Sequence, residues 1–405
     1  MDNDAIVRAR VALLDVRRMS LAQQVAAHRI LAEVSPAVHL PKLARTLATF
    51  SYEARHLPEA RLVLLDEAVA AAEAVAADDP HRSRTLVSVL DTRQRLLFEM
   101  GRRPAGLADR SRMAAIERAV PGGLGGWERG LETWAAGLAE ERRHTEAADV
   151  YAEAVRADGT ATRDGSRTAL HAQLTAAGRH DEAVAVAAEL VDRARKPSAP
   201  DQDMRPHVFH ALFHLARTLE RCGGRDAEAG RVRSEAEALL DALAAEDART
   251  RASESDLARF LAVDAAAAEH AAEAGPVPPL GTELHRWSAD VRQRYEERTA
   301  ELGRALDDLP SEDAAGPTVE LVALHRRRAV RQAVLEAEHR YRFQERLQPL
   351  FDRGVALARA LHAHRPGQGT GPLATALTDR ALLRTVDGQY AAALADLREA
   401  RTVAG

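Results

Sequence analysis

The sequence predicts an all-α fold, and three observations carry the prediction. Apolar residues recur at i, i+3, i+4 and i+7 along most of the 405 residues, the period of a helix with one buried stripe. Hydrophobic residues make up 46% of the chain but aromatic ones only 4%. The core must therefore be built from Ala, Leu and Val, which suits close-packed helices better than sheets. The helical segments also come in pairs that repeat, with Ala147 and Ala183 in corresponding places 36 residues apart.

Taken in order, residues 4–17 predict a first helix and 20–33 a second, with Ala22, Val25, Ala26 and Arg29-Ile30 inward and Ser35-Pro36 as its stop. Pro41 opens a helix to Glu53, because the fixed φ of proline suits a first turn, and Pro58 opens its partner, which runs to about Ala77 before Asp78-Asp79-Pro80. Residues 82–100 form the next helix, stopped by Gly101, with a partner to about Ala119 and a glycine-rich break at 121–126. From Leu131 to Gly159 two short helices follow. Leu131, Trp134, Ala135, Leu138 and Ala139 line one, and Ala147, Val150, Tyr151, Ala154 and Val155 line the other. Residues 166–194 repeat the turn and second helix through Gly178, His180, Ala183, Ala187 and Leu190.

A polar, Pro-rich connector at 196–206 leads to a looser pair at 207–240 with one extra glycine in its turn. From Glu246 the period is lost. Residues 253–274 and 282–308 predict longer helices, and a helix from Val319 to about Leu347 bends at Gln348-Pro349 and resumes to His364. Residues 365–372 predict a loop before a last pair at 373–403. Three regions result: an array over 1–245, a long-helix segment over 246–310, and a helical region over 311–405.

The spacings Leu131-x2-Trp134-Ala135-x2-Leu138 and Ala147-x3-Tyr151-x2-Ala154 resemble the tetratricopeptide repeat. So does Gly388-x-Tyr390-x2-Ala393-x3-Leu397-x2-Ala400. Gly159 stands where that family usually has Pro, and Gly106 where it has Ala. The resemblance, to a degenerate array of the actinobacterial type, covers roughly 20–245 and 373–403. It implies a superhelical solenoid of antiparallel pairs that binds a protein or peptide in a concave groove lined by first helices. The groove positions it implies are Lys42, Arg45, Thr49 and Tyr52; Asp91, Arg95 and Phe98; Arg129 and Glu132; and His210, Phe213, Arg217 and Arg221. Arg with aromatics is the composition of binding hot spots. One subclass of the family clamps a peptide carboxylate with Lys and Asn, but Asn3 is the one Asn in this chain. The expected function is a non-enzymatic scaffold or adaptor. The alternative is a peptide-responsive sensor-regulator that controls a separate DNA-binding or ATPase effector.

Other chemistry is weighed residue by residue. No phosphate-cradling G-x4-G-K-[ST], no G-x-S-x-G and no H-E-x-x-H occurs. Cys222 is the single cysteine, which excludes an internal disulfide and a Cys-based zinc site. His207, His210 and His214 share a helix face, but the third lies a further turn away and Arg217 would repel a cation. They predict a groove-lining face and no metal or cofactor. The run His325–Gln332, HRRRAVRQ, is the strongest basic patch; Glu336, Glu338 and Glu345 follow it and a pair such as Arg342/Glu338 neutralises it, so it predicts a solvated helix face. A net charge of −5 gives no global field for nucleic acid. Arg supplies 54 of the 56 basic residues, which with the abundant Ala looks like the codon bias of a GC-rich bacterial genome. The N-terminus lacks the basic start and apolar core of a signal peptide, and no stretch approaches a membrane span. The expectation is a soluble cytoplasmic protein. Ala393, Leu394, Leu397, Ala400 and Val403 give the last helix an apolar side. The helices of 282–364 folding back are expected to cover it, with a homodimer through the C-terminal pair as the alternative.

The repeat register makes a stability prediction. Ala147→Leu is expected to destabilise the chain by about 1–3 kcal/mol, the range for overpacking a close contact. Chemical denaturation checks it, and unchanged stability would show the register to be wrong.

Overall fold

The computed structural model describes residues 3–15, 19–120, 129–158, 164–196, 203–246, 250–271, 274–308, 316–337 and 343–404. Among them all regular structure is helical. The helices are α1 (Asn3–Leu13), α2 (Leu21–Val34), α3 (Pro36–Phe50), α4 (Pro58–Glu73), α5 (Arg82–Glu99), α6 (Arg103–Ala119), α7 (Gly130–Glu140), α8 (His144–Asp158) and α9 (Asp164–Ala176). They continue as α10 (His180–Ala194), α11 (Arg205–Arg221), α12 (Asp226–Ala245), α13 (Glu254–Ala271), α14 (Ala289–Asp307), α15 (Val319–Glu336), α16 (Phe343–His364), α17 (Pro366–Val386) and α18 (Tyr390–Ala404). Each helix packs on its successor from α1 to α6, from α9 to α12 and from α15 to α18, as a solenoid-like array of pairs requires. The Gly159 position and the 121–126 break lie outside the described residues, as do Glu338 and Arg342.

The chain forms two compact units. The first holds residues 1–138, 152–160 and 288–290, and the second 139–151, 161–287 and 291–405. The core of the first is aliphatic, with Val25, Leu43, Leu47, Leu86, Leu90 and Met113 in one cluster. Ser20 caps α2 in a reciprocal box. Its hydroxyl accepts from the Gln23 amide at 3.2 Å, and the Gln23 side chain accepts from the Ser20 amide at 2.9 Å. The next helix opens at Pro36, five residues before the expected start, and Pro41 lies inside it, buried. Pro36 sits at the first helical position, where the missing N–H costs nothing.

The second unit departs from a simple row of pairs. Its core joins Phe209 and Leu212 of α11, Leu240 of α12, Leu261 of α13 and Leu383 and Leu397 of the last pair. Helix α13 packs on α9, α11, α15 and α17, which are all first helices of pairs. The α17/α18 pair packs on α11 and α12. Both flanks of the last helix are thereby covered. Leu394 and Leu397 join Leu240 and Leu243 of α12, and Ala400 joins Ala358 and Leu361 of α16. The helices of 282–364 supply one side of that cover and the earlier α12 the other. Leu394 and Leu397 are 7% and 4% exposed.

Two boundaries differ from the sequence reading for identifiable reasons. In place of one long bent helix over 319–364, α15 and α16 are separate and pack side by side. The expected loop at 365–372 is instead the start of α17, with Pro366 at its first position and Pro372 inside. The glycines there read as loop, but Gly369 is a packing residue. A Cβ on it would stand 2.3 Å from the His362 Cα. The turns of the pairs keep left-handed residues at Gly178 and Gly388, with φ of 72° and 74°. Arg142 takes that place after α7 with φ 58°, and its guanidinium donates to the His270 carbonyl at 2.9 Å.

The helical reading of 366–372 can be checked by three substitutions. Gly367→Ala and Gly371→Ala, which meet nothing within 4 Å, are each expected to raise stability by about 0.5–1 kcal/mol, the helix penalty of Gly relative to Ala. Gly369→Ala is expected to lower it by about 1–3 kcal/mol, since backbone must move to admit the methyl. Equal effects from all three in thermal melts would contradict the packing described.

Candidate functional site

Helix α11 organises the candidate site, because four of its polar side chains lie along one side against α13. On α13, Asp256, Phe260 and Asp264 are spaced i, i+4 and i+8 and share one face. They meet α11 in register. His207 Nδ1 lies 3.6 Å from Asp256, the His214 ring stacks on Phe260 with centroids 4.4 Å apart, and Arg217 and Arg221 both pair with Asp264, the latter at 2.9 Å. The contacts ascend together along both helices, so α11 and α13 run in the same direction. The first-helix side of this unit thus already holds a helix of the chain itself.

Below this ladder is a charge cluster from four helices. Arg217 reaches Asp264 with one arm and Asp379 of α17, at 2.7 Å, with the other. Arg326 of α15 donates to the second oxygen of Asp379 at 2.7 Å. Asp264 is buried, which alone would raise its pKa, but Arg217 and Arg221 outweigh burial and hold it below the usual carboxylate range. Burial likewise acts upward on Asp256, yet His207 and Arg259 bring it down to about 2. Both carboxylates therefore stay ionised under ordinary conditions.

The cluster forms one wall of a cleft of about 730 Å³ inside the second unit. Phe213, Leu397 and Ala400 supply apolar surface, and Arg233 and Arg401 stand on the rim beside Glu220 and Glu237. Around the cleft, five arginines (217, 221, 233, 326 and 401) stand against four carboxylates (Glu220, Glu237, Asp264 and Asp379). The arrangement is suited to holding acidic groups next to an apolar body.

The thirteen groove positions are distributed as follows. In the first unit Lys42, Arg45, Thr49, Tyr52 and Arg95 are exposed, and Tyr52 is packed against the Arg61 guanidinium. Asp91 is half-buried and pairs with Arg95 at 3.0 Å. Arg129 pairs with Glu132 at 2.8 Å, and Glu132 is buried. Phe98 is 1% exposed, so it cannot meet a partner. Its ring lies between the Arg103 and Arg110 guanidiniums and the Gly106 backbone, where an added Cβ would come within 2.9 Å of the ring. That contact explains a glycine where the repeat has Ala. In the second unit Phe213, Arg217 and Arg221 line the cleft. His210 is buried, with its Nε2 2.7 Å from the Thr385 hydroxyl.

The three histidines of α11 thus diverge: His207 faces Asp256, His210 faces Thr385, and His214 meets His171 at 3.1 Å. The basic run is not a solvated face. Arg331, 1% exposed, and Arg327 both hold the buried Glu269 of α13, at 2.6 and 2.9 Å, and Arg328 holds Asp307 at 2.6 Å. Sequence reasoning missed Asp264 because its segment has no repeat pattern, read Arg326 only as part of a solvated run, and passed over Asp379 although it lies in the first helix of the last pair. The i, i+4, i+8 spacing of Asp256, Phe260 and Asp264 was the available signal.

No protein-family model matches this chain, and no curated protein matches it. A solved structure titled "Structure of Naa15/Naa10 bound to HypK-THB" aligns over 99% of this chain at 13% identity with a TM-score of 0.32, and the chain spans 63% of that one's length. A likeness at that level carries no argument about function. Among the described residues no helix is long and apolar enough to cross a membrane.

The buried histidines predict a pH dependence. Burial lowers the pKa of His210 to about 4 from 6.5, and burial also holds His171 and His214 well below the usual histidine value. A histidine with a folded pKa below its unfolded value binds fewer protons in the native state, so stability rises with pH through that window. Stability is therefore expected to be complete above about pH 6.5 and to fall as pH drops toward about 4. The ionised Asp256 loses its contribution only below the usual carboxylate pKa. Denaturant midpoints measured across this range check the slope, and His210→Gln is expected to flatten it. A flat wild-type profile between pH 6.5 and 4 would contradict the assignment.

Proposed function

We propose that the protein is a non-enzymatic binding scaffold of the tetratricopeptide type, and that the cleft of its second unit takes an acidic helical segment of a partner protein. The observation that supports this reading is α13. The first-helix face of the unit already grips an acid-bearing helix of the same chain, with Arg217 and Arg221 on its carboxylate and His214 on its aromatic ring. The cleft beside it offers the same chemistry: arginines in excess over acids, around Phe213 and Leu397. Helix-in-groove recognition uses this combination of an apolar floor and charged flanks. The rim arginines are the ones a partner can recruit. Arg233 and Arg401 have side chains 48% and 68% exposed, and exposed pairs are held weakly, by about 0–1 kcal/mol. The exposed Lys42, Arg45 and Tyr52 give the first unit a similar composition at its own first-helix positions.

The test is a library of helical peptides of graded charge, screened by fluorescence anisotropy against the wild type and the Arg233→Glu, Arg401→Glu double variant. Acidic amphipathic peptides are expected to bind, to weaken with added salt, and to lose at least about tenfold in affinity, or about 1.4 kcal/mol, on the charge reversal. Binding that ignores the reversal, or a preference for basic peptides, would remove this reading.

A further inference from the structure

A second cavity lies on the other side of α13. It is formed by α13, α15 and the chain at 280–287, and its volume is about 330 Å³, at the small end of the ligand-site range of about 300–1,000 Å³. Its walls are apolar: Ala262 from α13, Leu284 and Trp287 from the 280–287 chain, and Val334 from α15. Trp287 is locked in place. Its Nε1 donates to the Thr282 hydroxyl at 2.9 Å, and its ring meets Tyr295 edge-on with centroids 5.1 Å apart. The pocket is therefore shaped before anything enters it.

Two charged side chains line the same space, Arg259 and Glu283. Arg259 directs Nη2 to Asp256, while its buried Nε has no protein partner. A buried donor left unsatisfied carries a desolvation penalty, which a ligand oxygen would recover. Glu283 lies 3.8 Å from Arg259 Nη1, too far for a hydrogen bond, and 3.3 Å from the partly exposed His285. Among the described residues its contact with a fully charged cation is this loose ion pair with Arg259, which Asp256 holds more closely.

We infer that this cavity binds a free, zwitterionic α-amino acid with a compact apolar side chain. Its carboxylate accepts from Arg259 Nε, its ammonium donates to Glu283, and its side chain fills the space between Ala262, Leu284, Trp287 and Val334. Charge decides between the alternatives. Asp256 already neutralises Arg259, so a simple anion would place a third carboxylate beside Asp256 and Glu283. A simple cation would satisfy Glu283 but leave the Arg259 donor unmet. A zwitterion satisfies both and leaves the local charge unchanged.

The experiment is isothermal titration of the full chain with L-leucine, L-isoleucine, L-methionine and L-phenylalanine. Two single-charge analogues, 4-methylpentanoate and 3-methylbutylamine, are titrated alongside. At least one amino acid is expected to bind saturably at one per chain, with both analogues weaker by about tenfold or more. Glu283→Gln is expected to weaken amino-acid binding by a similar factor while leaving the melting temperature in place, and Val334→Phe to abolish binding by filling the cavity. No saturable heat from any of the four amino acids overturns the inference, as does an analogue that binds as tightly as its parent or a Glu283→Gln chain that binds as the wild type does. The wild-type chain and its ligand decide the matter without any protein partner, so the outcome is separate from that of the peptide screen.

Discussion

Arg217 ties together three helices that are far apart in sequence. One guanidinium from α11 spans Asp264 on α13 and Asp379 on α17, and Arg326 of α15 shares Asp379. Taking these charges out of water is costly, and mutual attraction alone roughly offsets that cost. The value of the cluster lies in what its loss would leave behind. Removal of Arg217 would leave buried Asp264 to Arg221 alone and buried Asp379 to Arg326 alone, so a packing of α11, α13 and α17 in another register is disfavoured. The same reasoning applies to Glu269, held by Arg327 and Arg331. Two acids on α13, held by two arginines of α11 and two of α15, thus align a helix whose apolar contacts alone would tolerate sliding.

The helical pairs were legible because their signal is local. Apolar period, a turn residue and a small residue at the crossing all fall within one pair, and residues 131–158 and 166–194 carry all three. The errors fall where the deciding contact is distant. Residues 365–372 look like linker because Gly and Pro usually are, whereas Gly369 is needed for a backbone approach to His362, which no local pattern reveals. The basic run at 325–332 reads as solvated because its nearest acids in sequence seemed sufficient. Its actual partners, Glu269, Asp307 and Asp379, lie tens of residues away.

The site was half legible for the same reason. Repeat register placed Arg217, Arg221 and Phe213 on the first-helix side, and there they line a cleft. It also placed Phe98 and His210 there, and both are buried. Register says which direction a side chain leaves its helix. It does not say whether another element of the chain lies in that direction. For His210 that element is α17, through Thr385 and the Leu382 carbonyl. For Phe98 it is the arginines of α6.

Helix α13 lines both proposed sites, so any coupling between them would run through it. One side carries Asp264 to the arginines of the cleft, and the other carries Arg259 and Ala262 to the small cavity. Asp256 touches both, through His207 on α11 and Arg259 on its own helix. A ligand that draws Arg259 toward the cavity weakens its hold on Asp256 and so alters the ladder that seats α13 on α11. Discrete ion pairs and one ring stack set the register of α13 on α11, in addition to its apolar contacts in the core. If occupancy of the cavity changes the affinity of the cleft by some factor, occupancy of the cleft must change the affinity of the cavity by the same factor. That equality is a property of binding at equilibrium and holds whichever way the helix moves. The sign of the coupling is set by whether the acidic segment in the cleft takes the arginines from Asp264 or shares them. Sharing would tighten α13 on α11 and favour the cavity in its present shape. Competition would loosen the helix and, with it, the wall that Ala262 provides.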